Sequence, residues 1–89
     1  MGLIGDKMRI EITIGRWAEE YMAGTDNVPT VGSYTMELPN NATIKDAIVA
    51  AGIPYTAVGF ATIAGTAVRK DSSLKDGDIV ALYPPIVGG

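Results

Sequence analysis

Neither cysteine nor histidine occurs among the 89 residues. Without thiols the chain forms no disulfide and no thiolate metal centre. Without imidazole it lacks the side chain that most often serves as general base or metal ligand near neutral pH. No metal site is expected. Charge is sparse and tilts acidic, with 7 basic against 10 acidic side chains and a net charge of −3. A protein that grips nucleic-acid phosphates carries the opposite sign, so no nucleic-acid partner is expected; a basic protein surface is weakly favoured instead. Apolar runs fall far short of the ~20 residues that span a bilayer as a helix. The opening, "MGLIGDKMRIEI", has neither the apolar stretch nor the cleavage site of a signal peptide, and Asp6 stands where an N-myristoylation motif needs Ser or Thr. A cytoplasmic chain without a membrane partner is the expectation. The length supports one domain, near the lower limit of what folds without a staple.

What is present is periodicity. From Met8, "MRIEITIGR" alternates strictly, with Ile10, Ile12 and Ile14 on one face and Arg9, Glu11 and Thr13 on the other, the pattern of a half-buried strand. Residues 1–7 before it read as a flexible extension. The segment "WAEEYMAGTDNVPTVGS" breaks the alternation: a short helical turn is predicted over Trp17–Met22, then a loop rich in glycine. Trp17 and Tyr21 suit the filling of a hydrophobic edge of the core. "SYTMELP" alternates again, placing Tyr34, Met36 and Leu38 together.

"NNATIKDAIVAAGIP" predicts the one substantial helix, about ten residues long. Thr43 is a good N-cap and Asp46 its capping-box partner; Ile44, Ala47, Ile48 and Ala51 form an apolar stripe. Gly52 suits the left-handed residue past the last turn, and Pro54 blocks continuation. "VGFATIAGTAVRK" reads as two short strands about a turn at Ala64-Gly65. "DSSLKDGDIVALYPP" reads as a connection, a tight turn at Asp76-Gly77 and a last strand over Asp78–Tyr83. The sum is an α+β domain over residues 8–83, a mixed sheet of four to five strands with one main helix on one face. In the last strand Ile79, Ala81 and Tyr83 alternate with Val80 and Leu82. Only one set can lie under the helix; the other is left apolar on the open face.

The remaining six residues, 84–89, have an ordered chemistry. Pro84 and Pro85 lack N–H groups and favour an extended, projecting conformation. Ile86 and Val87 are β-branched and can grip a groove, while Gly88 and Gly89 are slim enough to thread a channel. Fully extended, the segment reaches at most ~20 Å. Such a tail suits presentation of a terminal carboxylate to another protein's active site.

These residues resemble the MoaD/ThiS family of ubiquitin-like sulfur carriers, especially its molybdopterin-synthase small subunits. The likeness is carried by "LKDGDIVALYPPIVGG" at Leu74–Gly89, by the "ATIKDAI" helix start and by the first strand; it is weak over Trp17–Ser33. It implies the ubiquitin-like β-grasp fold and a carrier with no active site and no bound cofactor of its own. A ubiquitin-activating-type enzyme, using ATP, would adenylate Gly89, and sulfur transfer would convert it to a thiocarboxylate. Pro84, Pro85, Ile86, Val87 and Gly88 would enter a partner, here the molybdopterin synthase large subunit. Tyr83, standing where relatives carry Phe, would face that partner with Ile79, Ala81 and Ala67, leaving Val80 and Leu82 to the core. Arg16 matches a basic position common after the first strand. Two departures are plain: many relatives have Asn-Gly where this chain has Ala64-Gly65, and a larger apolar residue where it has Ala67.

The chemistry agrees with a need for help. An ionised α-carboxylate is a poor electrophile, with a pKa near ~3.5. The chain offers neither a sulfur nucleophile nor a phosphate-cradling Gly-rich motif. Molybdenum or tungsten pterin synthesis is the leading expectation. A ubiquitin-like modifier joined to lysines through Gly89, or a sulfur carrier for thiamin or tRNA thiolation, are the alternatives.

Overall fold

A computed structural model describes residues 7–21 and 31–85, with only the backbone of Tyr21. Strand β1 (Lys7–Ile14) leads into a short helix α1 (Trp17–Tyr21). Strand β2 (Gly32–Pro39) and helix α2 (Ile44–Ala50) follow. A single 3-10 turn (Tyr55–Ala57) precedes β3 (Phe60–Ile63), β4 (Thr66–Val68) and β5 (Ile79–Tyr83). The five strands form one mixed sheet in the order β2-β1-β5-β3-β4. β5 pairs in parallel with β1 and antiparallel with β3, so it occupies the centre. This is the ubiquitin-like β-grasp architecture, with five strands and one principal helix.

Alternation in the sequence becomes layering in the structure. Met8, Ile10, Ile12 and Ile14 are buried on one face of β1, with Val80 and Leu82 beside them on β5 and Ile44, Ala47 and Ile48 from α2. Each such aliphatic side chain contributes about 1.5–3 kcal/mol when taken fully out of water. Trp17, Tyr34 and Met36 pack, half-buried, against this core. Trp17 thus fills an edge of the core as its placement in the sequence suggests, and Ala18 beside it is fully buried. β1 begins at Lys7, one residue before the strict alternation does.

Helix α2 is seven residues long, shorter than the ten expected. The reason lies at its C-terminus. Gly52 adopts φ +80°, its N–H donates to the Val49 carbonyl at 3.0 Å, and the Ile53 N–H donates to the Ile48 carbonyl at 3.3 Å. This pair of backward bonds closes the helix early and turns buried Ile53 back toward Ile48. At the other end the Asp46 carboxylate accepts from the Thr43 N–H at 2.9 Å and the Thr43 hydroxyl at 3.2 Å. The helix start is tied further by the Ile44 N–H to the Ser72 carbonyl and the Leu74 N–H to the Ala42 carbonyl, at 2.9 and 3.0 Å.

Candidate functional site

The Asp-Gly-Asp turn that opens the last strand does structural work. Asp76 accepts a hydrogen bond from the Arg9 N–H at 2.8 Å, and the Gly77 N–H donates to the Arg9 carbonyl, also at 2.8 Å. Asp78 accepts from the Lys75 N–H at 2.8 Å and so closes the turn on itself. The Glu11 N–H donates to the Asp78 carbonyl at 2.9 Å. Both aspartates and the glycine between them therefore lock β5 to β1 in register, Glu11 opposite Ile79 through Ile14 opposite Leu82. β5 itself begins at Ile79, one residue later than expected, because Asp78 belongs to this clasp.

Held in that register, β5 divides its side chains as the alternation requires. Val80 and Leu82 are buried; Ile79 and Tyr83 are exposed and Ala81 is half-exposed. Cross-strand pairing builds the open face outward from them. Tyr83 lies opposite Phe60, Ala81 opposite Thr62, and Thr62 opposite Ala67 on β4. The Phe60 and Tyr83 rings stack, with centroids 4.8 Å apart and planes 11° from parallel. An open apolar hollow of about 520 Å³ sits beside them, lined by Gly59, Phe60, Ala67 and Pro85. The other half of the same face is polar. Thr13 and Ser33 hydroxyls meet at 2.8 Å, and the exposed side chains of Arg9 and Glu37 pair at 3.0 Å. One side of the sheet is thus split into an apolar half over β5, β3 and β4 and a hydrophilic half over β1 and β2.

The end of β5 is anchored from two sides. Trp17 Nε1–H donates to the Leu82 carbonyl at 3.1 Å, and the Gly59 N–H donates to the Tyr83 carbonyl at 2.8 Å. Pro84 and Pro85 follow, both half-buried. They do not leave the body at once, as polyproline geometry alone suggests, but pass directly across Gly59. A Cβ built on Gly59 would lie 2.4 Å from Pro85 Cα and 2.6 Å from the Pro84 carbonyl oxygen. The segment leading into Gly59 is itself pinned. Lys70 Nζ donates to the Val58 carbonyl at 2.6 Å and lies 4.2 Å from the centroid of the Tyr55 ring.

Of the site residues read from the sequence, Ile79, Ala81, Tyr83 and Ala67 share one face, Ala67 exposed on the edge strand. Pro84 and Pro85 form the tail root. Arg16 is exposed in the turn after β1. Ile86, Val87, Gly88 and Gly89 lie outside the described residues, as does the loop after Tyr21. Two contributors escaped the sequence reading: Phe60, whose position opposite Tyr83 follows from strand register, and Gly59, whose role exists only because the tail root crosses it. The chain's single Phe was a usable signal for the first. Burial pushes the Tyr34 phenol above its usual pKa, but that residue sits on the core side of β2.

The model of the Mut7-C ubiquitin family matches residues 22–87. Among solved structures, SAMP1 from Haloferax volcanii is similar at 21% identity and a TM-score of 0.59, over 91% of this chain and 99% of that one. A putative molybdopterin converting factor subunit 1 from Pyrococcus furiosus is similar at 22% identity and 0.58, over 89% and 99%. The ubiquitin of Caldiarchaeum subterraneum is similar at 21% identity and 0.54, over 93% and 99%. A search of curated proteins returns no match. These findings bear out the β-grasp fold and the ubiquitin-like, MoaD-type resemblance.

Proposed function

The chain belongs to the Mut7-C ubiquitin family, and on that premise we propose that it is a sulfur carrier whose last glycine is the reactive end. A ubiquitin-activating-type enzyme joins the Gly89 carboxylate to the AMP moiety of ATP, releasing pyrophosphate. A sulfur nucleophile at the oxidation level of sulfide then attacks the acyl carbon, AMP departs, and a thiocarboxylate remains. The adenylate supplies the leaving group that a bare carboxylate lacks. In the first step the Gly89 carboxylate attacks the α-phosphorus of ATP. The ATP site and the sulfur nucleophile come from the partners, and what this chain contributes is that carboxylate and its placement. The acceptor is a pterin precursor of the molybdenum or tungsten cofactor, bound by a molybdopterin synthase large subunit.

One observation carries the reading. The strand that ends in the tail is clasped at its start by Asp76 and Asp78, and its last two carbonyls are held by Trp17 and Gly59. A rigid root of this kind lowers the entropic cost of delivering a short slim end to a distant catalyst. The apolar half of the open face, with Tyr83, Phe60, Ile79 and Ala67, lies beside that root and supplies docking area. The likeness to a molybdopterin converting factor subunit supports the pterin pathway. A second reading, conjugation of Gly89 to lysines of other proteins, draws support from the likeness to SAMP1 and to an archaeal ubiquitin. Both fates share the adenylation step. Removal of Gly88 and Gly89 is expected to abolish ATP–pyrophosphate exchange by the adenylating enzyme while leaving the unfolding midpoint unchanged; undiminished exchange would refute the proposed role of the tail.

A further inference from the structure

We infer that Gly59 is a positioning residue that sets the direction in which the tail leaves the body. The inference rests on the carrier reading for its function and on geometry alone for its structural half. At position 59 any side chain would put a carbon 2.4 Å from Pro85 Cα, 2.6 Å from the Pro84 oxygen and 2.7 Å from the Pro85 nitrogen. All three are backbone atoms, so no rotamer change relieves the contact, and relief takes a displacement of about an ångström of one segment past the other.

The structure decides which segment yields. Gly59 follows Val58, which is fully buried and whose carbonyl Lys70 holds at 2.6 Å. It precedes Phe60, which is paired in the sheet and stacked on Tyr83. Pro84 and Pro85 lie past the end of β5 and have no N–H with which to bond the sheet. The tail root therefore moves and the body stays. A displaced root gives the segment beyond Pro85 a different starting point, and on the carrier reading a misplacement of ~1 Å at the reacting end can cost about a hundredfold in rate. Docking of the body through Ile79, Ala81 and Tyr83, none of which lines the hollow shared by Gly59 and Pro85, is left in place.

Gly59→Ala separates these effects. Its structure is expected to show Pro84 and Pro85 displaced by about an ångström while the core is superimposable. With the adenylating enzyme, KM for the carrier is expected to stay within about twofold while kcat falls about tenfold or more. In a Pro84→Gly/Pro85→Gly background, whose root has already lost its direction, adding Gly59→Ala is expected to cost nothing further, because both changes act through the same segment. A purely destabilising glycine replacement would instead act independently of the prolines. An undisplaced root, an unchanged kcat, full additivity, or loss of the fold each overturns the inference, the last because the body rather than the tail would then have given way. Failure of the wild-type chain to be adenylated at all would sink the carrier reading, while the position of Pro84 and Pro85 in the variant still decides the geometric claim.

Discussion

Ala64 is the one non-glycine residue with positive φ among those described, at 53° beside Gly65 at 85°. Two successive positive φ angles are what a two-residue hairpin turn between right-twisted strands requires. An alanine there pays the Cβ–carbonyl crowding that asparagine relieves through local hydrogen bonding. Ala64→Asn is accordingly expected to stabilise the domain by about 0.5–1 kcal/mol in urea unfolding; no gain would mean that the turn is not strained. On β5 single residues separate packing from docking. Leu82→Ala removes a fully buried side chain and is expected to cost about 2–5 kcal/mol. Ile79→Ala, three residues earlier and 52% exposed, is expected to change stability by no more than about 0.5 kcal/mol. Equal losses at the two positions would contradict the assignment of faces. At this scale the sequence was half-legible: alternation divided β5 into two sets, but which set was core followed only from the resemblance. Periodicity records faces, not which one the helix covers.

Among the elements, the strands and the main helix were readable because each carries its own period. β1 is a strict alternation, and α2 has an apolar stripe bounded by Thr43 and Gly52. The length of α2 was overestimated because Ala51 continues the stripe in sequence while adopting the cap in structure, a choice settled by the Ile53–Ile48 backbone bond. The sequence marks Asp76-Gly77 as a turn and Asp78 as the start of a strand, but not the clasp on Arg9, which lies 67 residues away. That clasp makes a separate prediction. Asp76→Ala removes the charged acceptor of the Arg9 N–H and is expected to cost about 1 kcal/mol, with faster hydrogen exchange at the Arg9 amide. An Arg9 amide as protected as before would show that Asp76 contributes little to holding β5 in register. Phe60 and Gly59 were not legible for the same reason as the clasp: their importance is a product of strand pairing and of the path of the tail root.

For the molecule as a whole, the arrangement is a lever. A core of aliphatic side chains fixes a five-stranded sheet, β5 runs through its centre, and every tie on that strand bears on where residue 85 lies. The open face is divided so that apolar contacts fall on the tail's side and charge on the other. The anchored root places Pro84 and Pro85 across Gly59, beside the apolar half of that face. The central claim is that Gly89 is the atom-bearing end of this device. Intact-mass analysis of the protein isolated from its own cells tests it most directly. The account predicts a fraction of chains ending at Gly89 with one oxygen replaced by sulfur, rising when the sulfur acceptor is depleted and vanishing when the adenylating enzyme is removed. Chains that carry only an ordinary carboxylate at Gly89 under all of these conditions, with no Gly89-linked conjugates, would contradict it.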